Sequence, residues 1–590
     1  MRRVVSRAVL AAAARLRAFV RTSELSLVVV AVFVGAVAGL CVTAMTLIAE
    51  CAHVAFYGIA FDQRLSAVAR VSPLAAFLTP ALGGFALSLI EAWRLRRKAP
   101  RVVDPIEANA LRGGRMSLGE SVLVSAQTLI SNGCGASVGL EAGYAQIGGA
   151  IASRIGLRFR LRRQDLRVLV GCGAGGAIAA AFGAPLTGAF YAAELIIGVY
   201  SLANAGPIFA AALAATLTVK ALGGAPYTVA APTVASLSVE HHFALIVLGL
   251  VAAALGVGAM RVAAVFERLF AASGAPRWAR RLFGGAALGA MALYTPQVLG
   301  AGHGALGLDT PARLTAATLA ALIVLKLTAS LISLASGFRG GLFFASLFVG
   351  ALLGKLYALG VDLALPGLGL DPTACLLAGM GTLGVAIVGG PLTMTFLVLE
   401  STGDLGVAGG VLAACIATSL AVRATFGYSF ATWRLHLRGE SIRGAQDVGW
   451  LRDLTVARLM APAPPTFPEK GALRAFREAY PLGSAHVVVA IDEAGRYRGL
   501  VGVPEAHVTA LADDEDGGPV SAIARMPQTM LHPEVDVRSA LAIFDAAAAD
   551  TLAVTDRASE AVLGTLSEAF AARRYAQETS QAAGDEFGGG

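Results

Sequence analysis

Charge is scarce in this chain: only 15% of its 590 residues are Asp, Glu, Lys or Arg, and aromatic residues make up a further 7%. So little charge over such a length excludes a soluble domain of this size. Cysteine is equally thin. Cys41, Cys51, Cys134, Cys172, Cys375 and Cys415 are scattered through apolar or glycine-rich stretches. They lack metal-ligand spacing and read as small packing residues. No helical His-Glu-X-X-His motif, phosphate-binding P-loop or nucleophile elbow is recognised. The isolated histidines, among them His241, His242 and His303, read as loop or packing residues, so no enzyme, resident cofactor or metal is expected.

What the chain has in abundance is apolar surface and glycine. Hydrophobic residues make up 56%, there are 69 glycines, and the mean hydropathy is +0.69. A membrane helix needs about 20 mostly apolar residues, and many such runs lie before residue 426. The expectation is an all-α polytopic membrane protein. The net charge of +8 sits beside the apolar runs rather than in a basic domain, so it reports topology and not nucleic-acid binding. Arg2, Arg3, Arg7, Arg15, Arg17 and Arg21 precede the first span, and Arg434, Arg438 and Arg443 follow the last. The positive-inside rule then puts both termini in the cytoplasm, with residues 1–24 as an interfacial helix and an even number of crossings. A bacterial-type inner or plasma membrane is the expected location.

The chain is organised around Gly133 to Gly149, a glycine-dense stretch holding one acid, Glu141, among apolar residues. An acid at membrane depth costs roughly 2.5–3.5 kcal/mol on insertion scales and usually faces a partner, a cavity or an ion path. The apolar run that follows can be helical, placing Glu141 at a helix N-terminus, where free N–H groups and a positive dipole end make an anion site. Glu141 would occupy that site as a tethered competitor. The bland alternative is a small-residue helix junction with a chance acid.

Before and after this stretch the spans are tilted or broken. Leu25 to about Tyr57 is too long to cross perpendicularly. About Leu74 to Trp93 ends in Arg94-Leu95-Arg96-Arg97-Lys98, a cytoplasmic-looking stop, and Arg158 to Arg163 marks another. Val168 to Tyr200 is interrupted at Phe182-Gly183-Ala184-Pro185-Leu186, which predicts two half-helices. The second half repeats the theme. A span at about Ala317 to Leu334 leads into a glycine-rich junction at Ser336 to Ala345, and Leu376 to Leu399 is broken at Gly389-Gly390-Pro391-Leu392. Both interrupted segments reach a glutamate, Glu194 and Glu400, so the membrane part is an internal duplication with its site at the repeat interface.

After about Gly439 the character becomes soluble α/β. His486 to Ile491 and Arg498 to Gly502 read as strands around an Asp492-Glu493-Ala494-Gly495 turn. Thr551 to Thr555 and Ala561 to Thr565 repeat the pattern, with helical stretches at Ser539 to Ala549 and Glu568 to Tyr575. Residues 578–590 read as a disordered tail.

At these residues the chain resembles the CLC family of chloride channels and proton-coupled chloride antiporters. Gly139-Leu140-Glu141-Ala142-Gly143 followed by Gln146-Ile147-Gly148 is similar to the family's Gly-Arg-Glu-Gly-Pro signature and its Gln-Ile-Gly run. Phe182-Gly183-Ala184-Pro185-Leu186 resembles Phe-Asn-Ala-Pro-Leu, and Gly341-Leu342-Phe343-Phe344-Ala345 resembles Gly-X-Phe-X-Pro with the proline lost. The resemblance implies a CLC-type inverted repeat of tilted and broken helices over 25–440, and a cytoplasmic CBS-like domain pair over 441–577. It implies a homodimer in the lipid bilayer with one anion pathway per subunit, carrying chloride and possibly protons. Glu141 would be the gating glutamate, and an anion site would form at Gly139, Leu140, Glu141, Ala142, Gly341, Leu342 and Phe343, largely through backbone amides.

The departures qualify that reading. The family's inner Gly-Ser-Gly-Ile-Pro signature is best placed on Arg96-Arg97-Lys98-Ala99-Pro100, with no serine, which puts Arg97 or Lys98 near the inner mouth. The pore tyrosine falls near Ala431, with Tyr428 and Phe430 close by. Glu194 matches the first of a glutamate pair, and Leu195 stands where the proton-relaying acid would be. Another anion such as fluoride, altered proton coupling, or a non-transporting sensor acting through the CBS-like pair therefore stay open. Nucleotide binding by that pair has little support, because the ribose-binding aspartate is replaced near His507 and Glu568.

Overall fold

The computed structural model describes residues 24–427 except 62, 225–233, 235 and 273, together with 429, 433, 454–508, and 518–575 except 548. Of the expectations above, the interfacial segment before Glu24, the pore-tyrosine region at Tyr428, Phe430 and Ala431, the boundary at 440 and the tail from 578 lie outside the described residues. The chain divides into two compact units, residues 1–447 and 448–590.

The first unit is helical: α1 (Glu24–Tyr57), α2 (Pro73–Arg96), α3 (Pro105–Leu111), α4 (Leu118–Gly133), α5 (Glu141–Phe159), α6 (Arg163–Phe182), α7 (Pro185–Tyr191, continued by a π-turn Ala192–Ile197), α8 (Leu202–Ala221), α9 (Val239–Ala272), α10 (Arg277–Tyr294), α11 (His303–Asp309), α12 (Ala316–Ser336), α13 (Phe343–Ala364), α14 (Pro372–Ile387), α15 (Pro391–Thr402) and α16 (Leu405–Thr425). Among the described residues eight helices are long and apolar enough to cross a bilayer. Helix α1 shows why the protein needs one. Its inward stripe, Ala31, Val34, Ala38, Val42, Met45 and Ala49, is buried at helical spacing, yet its outward residues Leu25, Val29, Phe33, Leu40 and Leu47 are apolar as well. A helix apolar all round is stable only where its outer face meets lipid.

Small residues set how closely these helices cross. Gly148 of α5 lies against the Gly173 carbonyl of α6, and Gly350 of α13 against the Gly379 carbonyl of α14; a β-carbon at any of the four would collide with backbone. Such approaches drive helix packing where no hydrophobic effect is available. The two crossings are counterparts in the two halves.

The duplication seen at Glu194 and Glu400 is realised as a reciprocal exchange. Glu194, at the end of the first interrupted segment, accepts from the N–H groups of Leu392 (3.0 Å) and Thr393 (2.8 Å) and from the Thr393 hydroxyl (2.6 Å). Glu400 accepts from Leu186 N (2.8 Å), Thr187 N (2.8 Å) and the Thr187 hydroxyl (2.6 Å). Each repeat's carboxylate thus caps the other's half-helix, α15 or α7, whose first-turn N–H groups have no intrahelical acceptor. Phe190 and Phe396, at matching positions in the repeats, stack at 4.2 Å and 6°.

The second unit comprises α17 (Val456–Leu459), β1 (Ala461–Pro462), β2 (Thr466–Pro468), α18 (Leu473–Ala479), β3 (Val487–Ile491), β4 (Tyr497–Gly502), α19 (Val503–Val508), α20 (Val537–Ala547), β5 (Thr551–Thr555) and β6 (Val562–Ser567). Strand β3 pairs in parallel with β2 and antiparallel with β4; β5 pairs antiparallel with β6, and Leu531 bridges Val554 in parallel as β2 does in the first copy. The expected strands and their duplication are present, each copy running strand, helix, hairpin, helix. Asp492 closes the first hairpin by accepting from Ala494 N and Arg496 N, and Asp556 does the same for Ala558 N and Ser559 N in the second. At the position where a ribose-binding aspartate was sought, the His507 ring nitrogen lies 3.0 Å from Tyr480 O.

Candidate functional site

Helices α5 and α13 start side by side. Gly139 N donates to Gly341 O (2.9 Å) and Gly341 N to Gly139 O (3.1 Å), a two-bond bridge just before each first turn. Neither N-cap, Leu140 or Leu342, supplies a side-chain acceptor. Two sets of first-turn N–H groups therefore converge with no cap of their own, the arrangement that binds anions. All seven residues named from the sequence meet here, and the amides of Gly139 and Gly341 are engaged with each other rather than left open with the first-turn groups beyond them.

The junction is held from behind by serines. Ser137 N donates to Ser333 Oγ (3.1 Å), the Ser137 and Ser330 hydroxyls pair at 3.0 Å, and Arg339 N donates to Ser131 Oγ (2.9 Å). The Asn132 amide holds Val138 O at 3.0 Å. Gly135-Ala136-Ser137-Val138-Gly139 has the spacing of a nucleophile elbow, contrary to the expectation that the chain has none. Ser137 follows a helix, however, and is fully buried against Ser330, so it exposes no nucleophile.

Glu141 is 4% exposed. Its carboxylate packs over Gly139, where any side chain would collide with it. Its Oε2 is buried without a hydrogen-bond partner. A buried, incompletely paired carboxylate is expensive.

Two cavities reach this carboxylate. One, of about 630 Å³, runs from the C-terminal end of α2 and is lined by Glu91, Arg94, Arg101, Tyr191, Leu195 and Arg339 before reaching Glu141, Leu342 and Phe343. The other, of about 460 Å³, opens near the C-terminal end of α1, lined by Glu50, His53, Arg64, Tyr144 and His303 before reaching Leu140 and Glu141. As α1 and α2 are consecutive spans, their C-terminal ends lie at opposite faces of the bundle, so Glu141 stands between cavities from the two sides. Arg94, 8% exposed, is fixed in the first by Glu120 (3.0 Å) and Pro100 O (3.1 Å). In the second, Arg64 is paired with Glu50 at 2.6 Å.

Two expectations are corrected. Arg97 and Lys98 do not stand at the inner mouth: residues 97–100 lie beyond α2, Arg97 stacks over Trp93 at 4.3 Å, and of Arg96 to Pro100 it is Ala99 and Pro100 that line the cavity. The short helix entering the cavity starts at Pro105 with Asp104 as its cap, accepting from Glu107 N at 2.8 Å. Val102 and Asp104 line the wall there, and the cations present are Arg94, Arg101 and Arg339. The second correction is His303. It does pack, on Phe344, but it also faces Glu141, with Nε2 3.8 Å from Oε1. No local pattern marked it, since it opens a seven-residue helix that meets Glu141 only in three dimensions.

Comparison with known proteins agrees with this architecture. The family model described as Voltage gated chloride channel matches residues 82–423. A putative chloride channel protein, ClcB-like, of Ralstonia nicotianae is 32% identical over 403 residues, 66% of this chain and 94% of that protein. The voltage-gated ClC-type chloride channel ClcB of Escherichia coli O81 is 30% identical over 364 residues, 61% of this chain and 86% of that one. Among solved structures, a slow cyanobacterial Cl⁻/H⁺ antiporter superposes with a TM-score of 0.61 at 22% identity, covering 70% of this chain and 97% of that one. A eukaryotic CLC transporter gives 0.53 at 16% identity, covering 92% and 98%.

Proposed function

The chain belongs to the voltage gated chloride channel family, and from that premise we propose that Glu141 is the gate of a chloride pathway joining the two cavities. The observation that carries the reading is the place of its carboxylate, between a cavity from each side and against two uncapped helix starts. A carboxylate there and a halide compete for the same first-turn N–H groups, so flux requires the side chain to leave or lose its charge. The positive-inside rule makes the Arg94 cavity cytoplasmic and the Arg64 cavity external. The arginines along the cytoplasmic cavity raise the local anion concentration.

Tight proton coupling through Glu194 has little support. Its carboxylate is engaged by three donors of the opposite repeat, and Leu195, which lines the cytoplasmic cavity, carries no proton. The proposal is accordingly a passive or loosely coupled chloride pathway in a homodimer, with the second unit as a cytoplasmic CBS-like pair. Chloride efflux from proteoliposomes across pH 4.5–8 tests it. Glu141→Gln and Glu141→Ala are expected to conduct at every pH with the pH dependence lost. A wild-type pH profile in both variants overturns the gating role, and preference for fluoride over chloride in the same assay overturns the assigned anion.

A further inference from the structure

Resting on that gating reading, we propose that His303 is the proton-transfer partner of Glu141, exchanging the gating proton between the Arg64 cavity and the carboxylate. Three features carry this. Nε2 of His303 lies 3.8 Å from Glu141 Oε1, so a small side-chain movement brings the pair into hydrogen-bond range. The imidazole is 29% exposed whereas the Glu141 side chain is 5% exposed. Both line the same cavity, and His303 is the one that water reaches more readily. The ring is also held in place, stacked on Phe344 with centroids 3.7 Å apart and planes at 23°; Phe344 belongs to the first turn of the helix whose start faces the anion.

The backbone presenting His303 is clamped as few loops are. Lys326 of α12, only 1% exposed, donates to Gln297 O (3.3 Å), Val298 O (3.1 Å) and Gly300 O (2.7 Å), all three from the segment leading into α11. Gly300 N donates to Gly135 O at 3.1 Å, tying the segment to the loop before Glu141. Ser66 Oγ accepts from Gly304 N (3.0 Å) and Ala305 N (3.2 Å). Gly302 adopts φ +102 with the Phe348 ring where a β-carbon would be, so the entry to α11 tolerates only glycine.

The charged and titratable groups around the ring are Glu141 and Tyr144 on α5, the Tyr144 hydroxyl being paired with Thr46, His53 and Glu50 on α1, Arg64 after α1 and Lys326 on α12. Glu50 is already paired with Arg64. That leaves Glu141 as the carboxylate His303 addresses. In the forward step the Nε2–H bond of the imidazolium breaks and an O–H bond forms at Glu141 Oε1. The imidazole is left neutral and takes its next proton from cavity water, while the uncharged acid no longer competes with a halide for the helix ends.

The test is a stopped-flow pH jump on proteoliposomes holding the full-length chain, reading the onset of chloride efflux. His303→Gln keeps a polar side chain without titration and His303→Phe keeps the stack; agreement between them separates proton transfer from packing. Onset is expected to slow about tenfold or more in both. In a Glu141→Gln background neither variant should change the flux further. Onset at the wild-type rate in either variant, or an equal effect in the Glu141→Gln background, overturns the assignment while leaving the Glu141 gate standing. If Glu141→Gln alone keeps the wild-type pH response, the gating reading falls and this one with it.

Discussion

Removing one of the two exchanged carboxylates is the sharpest structural perturbation the fold offers. Glu194 and Glu400 each accept three hydrogen bonds, two from backbone N–H groups at a half-helix start and one from a threonine, at 2.6–3.0 Å. Bonds to a charged acceptor are worth about 1.5–3 kcal/mol each. Three on one partly exposed carboxylate are not additive, so alanine at either position is expected to cost about 3 kcal/mol, roughly a hundredfold in the folded-to-unfolded ratio. Glutamine retains one acceptor oxygen and should cost about half that. Because Glu400 rides on the half-helix that Glu194 caps, losing one cap loosens the element carrying the other. The double variant should therefore fall short of the sum by about 0.5 kcal/mol or more. Chemical unfolding in detergent, followed by tryptophan fluorescence, reads these differences. Near-equal losses at the two sites are required by their near-equal geometry; a large loss at one with none at the other would refute the reciprocal-cap argument. The same Glu194→Gln protein should move no more and no fewer protons per chloride than wild type, since the side chain acts as a cap.

Two further outcomes follow from local geometry. Gly139→Ala puts a β-carbon where the Glu141 carboxylate rests, so the side chain must leave its seat; chloride efflux in liposomes is expected to lose most of its pH dependence while the protein stays folded. In the second unit, the Arg496 main-chain N–H first, then the Arg496 and Arg498 guanidinium groups and Ala494 N–H, hold the Asp492 carboxyl down to about 2 from its ordinary 3.8. A depressed acid stabilises the fold above its unfolded value and loses that contribution as pH falls through the folded one. Thermal unfolding of the Asp492→Asn chain should therefore differ from wild type above about pH 4 and converge with it near pH 2.

Much of this was readable along the chain because it is local. Hydropathy marked the spans, glycine and proline marked the breaks at Gly183-Ala184-Pro185 and Gly389-Gly390-Pro391, and short apolar runs around a turn marked the paired strands of the second unit. The lone acid in a glycine-rich apolar stretch identified Glu141, since membrane burial of a charge is costly wherever it occurs. The matched glutamates exposed the duplication but not its use, because a cap supplied by the other repeat leaves no pattern near either residue. The cations of the inner cavity, Arg94, Arg101 and Arg339, come from separate segments, whereas the contiguous run Arg96-Arg97-Lys98 carried the stronger local signal.

What only the tertiary structure decided is which groups surround the acid. The bridge between Gly139 and Gly341, the pair of cavities that Glu141 separates, and the approach of His303 all join segments far apart in the chain. Propensity and hydropathy act over a turn or a span. A site made where α1, α5, α11 and α13 converge is set by helix packing, and packing depends on shape complementarity that no single stretch of residues contains.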